Sequence, residues 1–260
     1  ISYLCSIFLT KVYFISMENA VLHLATSRGH ANHGWLDSNF SFSFANYYNP
    51  ERMHFGALRV LNDDIIAGGM GFGTHPHDNM EIVSIGIEGD LEHKDSMGNT
   101  QVIASTDVQI MSAGTGVQHS ERNKNAHEQA RFLQIWVFPK YRNIKPRYDQ
   151  RTFPIAARRN KLLTVVAPDS AVSPISELMP LKMNQDAWFS LGSLDAKTQQ
   201  IYTLNKKENG VYAFIIEGSA TVNGQKLDRR DALGLSNISQ LTIETIENTE
   251  ILLMEVPMNI

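Results

Sequence analysis

The sequence predicts an all-β protein made of two barrel or sandwich domains. Helical periodicity is scarce, whereas short apolar runs with strand character recur between turns rich in glycine and asparagine. Many short strands at even spacing are typical of β-sandwiches and barrels. Between Pro139 and Pro154 this pattern gives way to prolines and basic residues, which predicts a linker. With 260 residues, the chain has room for two domains of ordinary size.

The predicted strands are short and distributed along the whole chain. They lie at 55–61, 80–89, 100–105, 108–114, 131–138, 161–167, 211–218, 219–227, 241–246 and 250–256. Asn223 and Gly224 predict a two-residue hairpin turn, because both positions of that turn require positive φ. The tripeptide Ile-Glu-Gly closes a strand at 87–89 and again at 216–218, roughly one domain length apart. This repeat indicates two related halves.

Composition and charge exclude several classes of function. The formal net charge of -4 is mild and no block of basic residues is present, so we expect no direct binding to nucleic acid. Cys5 is the only cysteine, which excludes disulfides and thiolate metal sites from Met17 onward. A chain without cysteines fits a reducing compartment, and we predict a cytoplasmic protein.

The first 16 residues stand apart from the rest. They are apolar but shorter than the roughly 20 residues that a membrane-spanning helix needs, so we expect no membrane span. They lack the basic start and the small-residue cleavage site of a signal peptide, which is the lesser alternative. Since Met17 resembles a natural start, residues 1–16 are interpreted as a leader from upstream translation or a segment added during production. The predicted domains are then 17–138 and 155–260, joined by the linker 139–154.

Imidazole chemistry is confined to the first half, which holds all nine histidines. His75 and His77 are two residues apart, so on a strand their side chains point to the same face. His119 and Glu121 have the same spacing. Two such strands facing each other would offer three nitrogens and a carboxylate, which suits a divalent metal and non-haem Fe(II) chemistry in particular. The alternative is histidines without a metal, and the second pair weighs against it.

Other candidate residues receive weaker interpretations. His30 and His33 lie in a predicted loop and are expected to form structural hydrogen bonds. His93 either approaches a pocket or faces solvent, and the sequence leaves both options open. The alternation of Phe40 and Phe42 predicts strand packing first and a substrate wall second. The glycines before His75 precede a strand and not a helix, so a dinucleotide site is disfavoured.

The motifs resemble those of a known family. The stretch GMGFGTHPHDNMEIVSIGIEG resembles the first cupin motif, and GTGVQHSERN resembles the second. The chain is more closely similar to the pirin family of bicupins through RGHANHGWLDSNFSFSFANYYNP, FGTHPHDNMEI, EHKDSMGN, IMSAGTGVQHSE and QIWVFP. The resemblance is strong over roughly residues 20–155 and weaker beyond. Gly114 and Gly89 depart from the general cupin pattern, but the pirin family shares both departures.

The resemblance implies a bicupin fold, with two cupin β-barrels of the double-stranded β-helix or jelly-roll type. It implies one divalent metal ion in the first barrel, with Fe(II) as the first choice and Cu, Ni, Mn, Co or Zn as alternatives. The implied ligands are His75, His77, His119 and Glu121. Glu81, the glutamate of the general cupin motif, is the second choice for the carboxylate ligand.

The second barrel is expected to hold no metal. Under the repeat, His75 and His77 correspond to Leu204 and Lys206, neither of which can act as an imidazole ligand. We therefore expect metal chemistry in residues 17–138 and a structural role for residues 155–260.

The family resemblance also implies a function. Bacterial pirin-like proteins are described as quercetin 2,3-dioxygenases, which cleave a flavonol such as quercetin with O2 and release carbon monoxide. In that case Glu121 would serve as catalytic base as well as ligand. The alternative is a metal-binding regulatory protein, similar to transcriptional cofactors, that binds a protein partner and has no dedicated turnover.

Overall fold

The computed structural model describes residues 19–172 and 178–260, and this part of the chain is almost entirely β. The leader predicted at 1–16 lies outside the described residues. The strands are β1 Ala20–His23, β2 Gly29–Asn32, β3 Leu36–Phe40, β4 Leu58–Ile66, β5 Gly71–His77, β6 Glu81–Glu88, β7 Leu91–Asp95, β8 Thr100–Ile103, β9 Asp107–Ser112, β10 Val117–Asn123, β11 Ala130–Val137, β12 Arg147–Thr152, β13 Leu162–Pro168, β14 Leu181–Met183, β15 Trp188–Leu194, β16 Gln199–Thr203, β17 Asn209–Glu217, β18 Ala220–Val222, β19 Gln225–Leu227, β20 Ala232–Leu235, β21 Gln240–Thr245 and β22 Thr249–Pro257. Short 3-10 helices occur at Ala25–Ser27, Ile155–Arg158 and Asp169–Ala171.

Two β-barrels account for the described strands, and each combines a seven-stranded sheet with a four-stranded sheet. The first barrel contains the sheets β12-β9-β6-β11-β4-β3-β2 and β5-β10-β7-β8. The second contains β1-β20-β17-β22-β15-β13-β14 and β16-β21-β18-β19. The prediction of an all-β chain with two barrels is therefore confirmed. Within the described residues, no helix is long and apolar enough to cross a membrane.

The segment predicted as a linker, 139–154, contains a strand. Within it β12 pairs with β9 and forms one edge of the large sheet of the first barrel. Polar side chains hold it there: Gln150 donates to the carbonyl of Val102, and the Thr152 hydroxyl donates to Asp107. Because these contacts are hydrogen bonds, β12 lacks the apolar alternation by which strands are recognised in a sequence.

The first described strand also departs from the predicted division into 17–138 and 155–260. Although β1 lies at the amino-terminal end, it pairs with β20 of the second barrel, with Ala20 opposite Leu235 and His23 opposite Ala232. Four residues are too few to show a periodicity that would predict a partner. The second barrel is therefore completed by residues from the beginning of the chain.

The two large sheets share one hydrophobic core. Their outward faces pack against each other, so this core lies between the barrels. The first sheet contributes Leu58, Leu61, Val83, Ile85, Leu133 and Ile135, and the second contributes Phe189, Tyr212, Phe214, Leu252 and Met254. Strand alternation then places the intervening residues inside each barrel.

The turns of the two halves match. Gly89 and Gly218 both have positive φ, and a Cβ at Gly218 would lie 2.1 Å from the carbonyl oxygen of Asn248. The repeated Ile-Glu-Gly thus ends equivalent strands where the backbone must turn tightly. The predicted hairpin at Asn223 and Gly224 is confirmed, since both residues have positive φ and join β18 to β19.

Candidate metal centre

Two neighbouring strands of the small sheet carry the histidines into the first barrel. β5 pairs with β10, with His75 opposite His119 and His77 opposite Val117. Pro76 lies between the two β5 histidines and has no N–H to donate, but β5 is an edge strand, where proline is tolerated. The alternation turns Pro76 outward and both imidazoles inward.

The Nε2 atoms of the three histidines converge. His119 Nε2 lies 2.9 Å from Nε2 of His77 and 3.0 Å from Nε2 of His75. His75 Nδ1 lies 2.8 Å from the carbonyl oxygen of Gly73, which can only accept, so Nδ1 carries the proton and the Nε2 lone pair is free. The three imidazoles form a group whose nitrogens could hold one metal ion.

Glu121 lies two residues after His119 on β10, and its side chain points to the same face of the strand. Its side chain is buried, and Gln134 of β11 donates to both carboxylate oxygens at 2.9 and 3.2 Å. The Ser84 hydroxyl lies 3.1 Å from Gln134 Oε1, to which it donates, and this bond orients the amide. Glu121 forms a second candidate group with His119 and His93, so His119 belongs to both groups.

His93 contacts His119 at Nδ1, the ring nitrogen that is not directed at His75 and His77. Its Nδ1 lies 3.3 Å from His119 Nδ1, and its Nε2 lies 3.2 Å from Oδ2 of Asp95. One proton arrangement satisfies every contact: His119 Nδ1–H donates to His93, and His93 Nε2–H donates to Asp95. This arrangement leaves the Nε2 lone pair of His119 directed at the other two histidines. Hydrogen bonds of this kind fix the tautomer and orientation of a metal-binding imidazole.

Burial favours the neutral form of His77 and His119 and makes the Glu121 carboxyl group more basic. Burial, together with the charge of His75, lowers the pKa of His77 to about 4 and, with other neighbouring histidines, lowers that of His119 to about 2. Burial also raises the pKa of Glu121 to about 7, against the opposing effect of its hydrogen bonds from Gln134 and Ser84. Neutral imidazoles bind a metal without first losing a proton, so the donor set fits a divalent ion.

The second-choice carboxylate, Glu81, lies outside both candidate groups. It has the strand parity of Val83 and therefore points out of the barrel, towards the second one. There its Oε2 accepts from the Ser112 hydroxyl at 2.8 Å and from the backbone N–H of Asn184 at 3.0 Å. His30, predicted to lie in a loop, lies in strand β2, outside both candidate groups, and its Nε2 is 2.9 Å from Oδ1 of Asp37.

Gly71 explains how the small sheet brings Glu121 into place. The pairing of β5 with β10 is irregular between His119 and Glu121, where the register shifts. A Cβ on Gly71 would lie 2.2 Å from the backbone oxygen of Glu121, a distance that no side chain permits. Glycine is therefore required at this position for β5 to follow the irregular strand closely.

A cavity of about 400 Å³ opens beside the centre. His75, His77 and Glu121 line it together with aromatic side chains of the large sheet and nearby loops. Trp136 packs edge-on against His77 with ring centroids 5.0 Å apart, and Phe44 packs edge-on against Trp136 at 5.3 Å. Such a site, apolar with a few convergent polar groups, is typical of small-molecule binding.

The corresponding interior of the second barrel is mostly apolar, although Glu255 is buried on the same face of β22 as Leu253 and is bonded by Tyr202 and Asn209. In the first barrel the cross-strand neighbours Ser84 and Gln134 approach Glu121, whereas Ala213 and Leu253 form the matching pair in the second. Both belong to a hydrophobic cluster that also receives Leu204, which corresponds to His75 under the repeat spacing and follows the end of β16. Among the residues that the structure describes, both candidate metal groups lie in the first barrel.

Sequence reasoning missed the supporting residues. Gln134 and Ser84 lie on strands whose outward faces are apolar, and their inward position could have been found from strand alternation alone. Asp95 could have been found from its spacing of two residues from His93. What the sequence does not contain is the cross-strand register, which brings Gln134 and Asp95 next to Glu121 and His119.

Fold and donor set together define a bicupin with a candidate metal centre in its first barrel. The pirin family model matches residues 21–137, and a model for the quercetinase C-terminal cupin domain matches residues 171–256. The chain belongs to the pirin family.

Relatives of known description are similar over nearly the whole chain. A quercetin 2,3-dioxygenase of Escherichia coli is 42% identical, with 91% of this chain and 98% of the relative covered. A pirin-like protein of Caulobacter vibrioides is 38% identical, with 87% and 95% covered. A crystal structure of the Escherichia coli bacterial pirin YhhW in complex with nickel(II) superposes with a TM-score of 0.84 at 41% identity, covering 92% of this chain and 99% of that one.

Proposed function

We propose that this protein is a metal-dependent dioxygenase that cleaves a flavonol such as quercetin with O2 and releases carbon monoxide. The observation that supports this most directly is the convergence of three imidazole nitrogens beside a buried carboxylate at an aromatic cavity. The descriptions of the relatives as quercetin 2,3-dioxygenases support the substrate class.

The proposed metal ligands are Nε2 of His75, His77 and His119, with the carboxylate of Glu121. We propose Fe(II) as the resident ion, and the nickel(II) complex of the relative shows that another divalent ion can be bound by such a protein. When bound, the metal would polarise and orient the substrate oxygens.

Glu121 is the proposed base. A flavonol must lose its 3-hydroxyl proton before ring cleavage, and a carboxylate with a pKa of about 7 accepts such a proton near neutral pH. Gln134 holds both carboxylate oxygens, so it orients the base and cannot itself take the proton. The Glu121 carboxyl would then hold the proton within the barrel until the product needs it.

The aromatic walls have a positioning role in this proposal. Trp35, Phe44, Phe72 and Trp136 line the cavity, and their faces suit a planar ring system while excluding water from the reacting atoms. The remaining parts of the proposal are a cytoplasmic location, no direct contact with nucleic acid or membrane, and O2 as the second substrate.

A variant at Glu121 tests the proposal. Glu121→Gln should keep part of the bound metal but lose at least about 100-fold in quercetin turnover, because an amide cannot accept the proton. Metal content and the decay of flavonol absorbance under O2 are the two measurements. Glu81→Gln is the matched control and should retain activity, because Glu81 points out of the barrel.

Two results would count against this function. A metal-loaded parent protein that leaves quercetin unchanged under O2 would favour the regulatory alternative, in which the centre senses or holds metal for a protein partner. Equal turnover by Glu121→Gln would show that another group removes the proton.

A further inference from the structure

A second chamber of about 370 Å³ adjoins the cavity beside the histidines, and none of the proposed ligands lines it. Both cavities share one set of walls, which contains Trp35, Phe44, Asn62, Asp64 and Phe72. A ligand that is held at the histidines and extends into the second chamber therefore passes these five residues.

Two of the shared walls are polar, and both come from β4. Asn62 and Asp64 are two residues apart, so their side chains point to the same face, into the barrel. Both are almost fully buried, at 2% and 3% exposure. Polar side chains inside an aromatic cavity are costly unless something bonds to them.

The Asn62 side chain lacks a partner. Its Oδ1 is shielded from solvent and forms no hydrogen bond within residues 19–172 and 178–260. An unpaired buried amide destabilises a fold by about 1–3 kcal/mol. The amide can also turn by half a rotation and present its N–H group, so the position offers either an acceptor or a donor.

Asp64 is bonded on one side only. Its Oδ1 accepts from the Ser38 hydroxyl. Burial raises the pKa of Asp64 to about 7, and the nearby charges of Glu121 and Asp63 act in the same direction. Near neutral pH the carboxyl group is therefore partly protonated, and like the Asn62 amide it can both donate and accept.

We infer that Asn62 and Asp64 form a hydroxyl-recognition subsite that selects planar aromatic substrates with a phenolic hydroxyl remote from the metal-binding end. The inference rests on the proposed function, which places the other end of the substrate at the histidines. A phenolic hydroxyl donates one hydrogen bond and accepts another, so a single group satisfies both side chains.

Other ligand chemistries fit these walls less well. An anionic group would meet the partial charges of Asp64 and Glu121, which both repel it. A cation would need a fully ionised carboxylate, but burial favours the protonated form of Asp64. An aliphatic chain would leave the Asn62 amide unpaired, and it would gain only the contact with the aromatic walls.

Binding of two flavonols tests the inference. The probes are quercetin and 3-hydroxyflavone, which keeps the metal-binding 3-hydroxyl and carbonyl but lacks the remote hydroxyls. Dissociation constants are measured without O2 on nickel-loaded protein, by quenching of tryptophan fluorescence. The parent protein should bind quercetin at least about tenfold more tightly, since one buried hydrogen bond to an otherwise unpaired group is worth about that factor.

Two variants each remove one of the two polar side chains, so that one variant can still be measured if the other fails to fold. Asn62→Leu and Asp64→Leu each replace a polar side chain with an apolar one of similar size. In each variant the preference for quercetin over 3-hydroxyflavone should fall about fivefold or more. Phe44→Leu is the matched control, because it trims an apolar wall of both chambers and should weaken both ligands by the same factor.

The outcomes separate this inference from the proposed function. Discrimination by the parent that is lost in both variants supports the subsite, whether or not quercetin is turned over under O2. Equal affinities in the parent, an unchanged ratio in a folded variant, or binding of neither flavonol would overturn it. Turnover with no discrimination would leave the dioxygenase function standing and remove only the subsite. Galangin keeps the remote hydroxyls on the benzo ring of the flavonol and lacks those on the phenyl ring, so its affinity shows which of the two rings reaches β4.

Discussion

The interiors of the two barrels differ far more than their folds. The same cross-strand positions hold Ser84 and Gln134 in the first barrel and Ala213 and Leu253 in the second. In the first, polar side chains lead to a buried carboxylate and three histidines, beside a cavity. In the second, apolar side chains fill most of the interior, and the buried Glu255 carboxylate is bonded by Tyr202 and Asn209.

The difference shows what a site requires from a fold. A filled apolar interior stabilises its barrel through burial, at about 25 cal/mol for each Å² of apolar surface. The first barrel replaces this packing with amide and carboxyl groups that must all find partners. It shares an outward core with the second barrel, and this shared core stabilises the sheet from which the site is built.

The largest expected effect is on metal content. His119→Ala should remove nearly all bound metal, since His119 belongs to both candidate donor groups. The matched control is Ile243→Ala on β21, an inward-facing residue of the second barrel, which should keep the metal and lose about 2–5 kcal/mol of stability. Elemental analysis of the purified proteins measures the metal. Full metal retention by His119→Ala would show that His119 is not a ligand and that the first barrel does not hold metal in the proposed way.

Exchanging the polar and apolar interior residues of the two barrels tests the difference between them directly. Leu253→Gln should lower the free energy of unfolding by about 4 kcal/mol, because it removes an apolar side chain from the hydrophobic cluster of the second barrel and buries an amide in its place. Gln134→Leu should weaken metal affinity about 10–100-fold through the loss of its bonds to Glu121. Urea unfolding and metal titration are the measurements. A stable Leu253→Gln protein would mean that the second interior tolerates polarity.

His23 allows a test based on pH. β1 carries this imidazole onto the second sheet, where Nδ1 lies 2.8 Å from the Tyr212 hydroxyl, and burial lowers its pKa to about 4. The unfolded chain, with a pKa near 6.5, binds more protons than the folded one below that pH. Stability should therefore fall as the pH drops from 6.5 towards 4, by about 2 kcal/mol at pH 5.

The measurement compares metal-loaded parent protein with His23→Gln. All other histidines are the same in the two proteins, so the difference between their pH profiles reports His23. Between pH 7.5 and pH 5 the variant should lose about 2 kcal/mol less stability than the parent. Identical losses would show that His23 is not held neutral on the second sheet.

The smallest effect is expected at Lys206, which corresponds to His77 under the repeat spacing. Its ammonium forms an ion pair with Asp186 at the surface, and Lys140 bonds the same carboxylate. Lys206→Ala should change stability by less than about 1 kcal/mol, because exposed ion pairs contribute little and Asp186 keeps a partner. Thermal unfolding measures the change. A large loss of stability would assign this position a role that its surroundings do not indicate.

Part of this comparison is visible in the sequence and part is not. The strand content, the hairpin at Asn223 and the repeated glycine turns follow from local rules of backbone conformation. The inward direction of His75 and His77 follows from alternation. The strand register does not, so the Gln134–Glu121 contact and the outward position of Glu81 appear only in the structure. The four-residue strand β1 and the polar strand β12 carry no periodic signal, so the sequence does not predict their partners.

The position of β1 has a consequence for synthesis of the chain on the ribosome. Its partner β20 begins at Ala232, so more than 200 residues separate strands that lie side by side. At ordinary rates of translation, β1 waits roughly ten to forty seconds before β20 emerges. Val21 and Leu22 remain half-exposed even after β1 pairs with β20, so during that interval the nascent chain carries an exposed apolar segment with unpaired backbone groups. Polysomes bring several nascent chains close together, so β1 is the element through which neighbouring chains would form a domain-swapped pair.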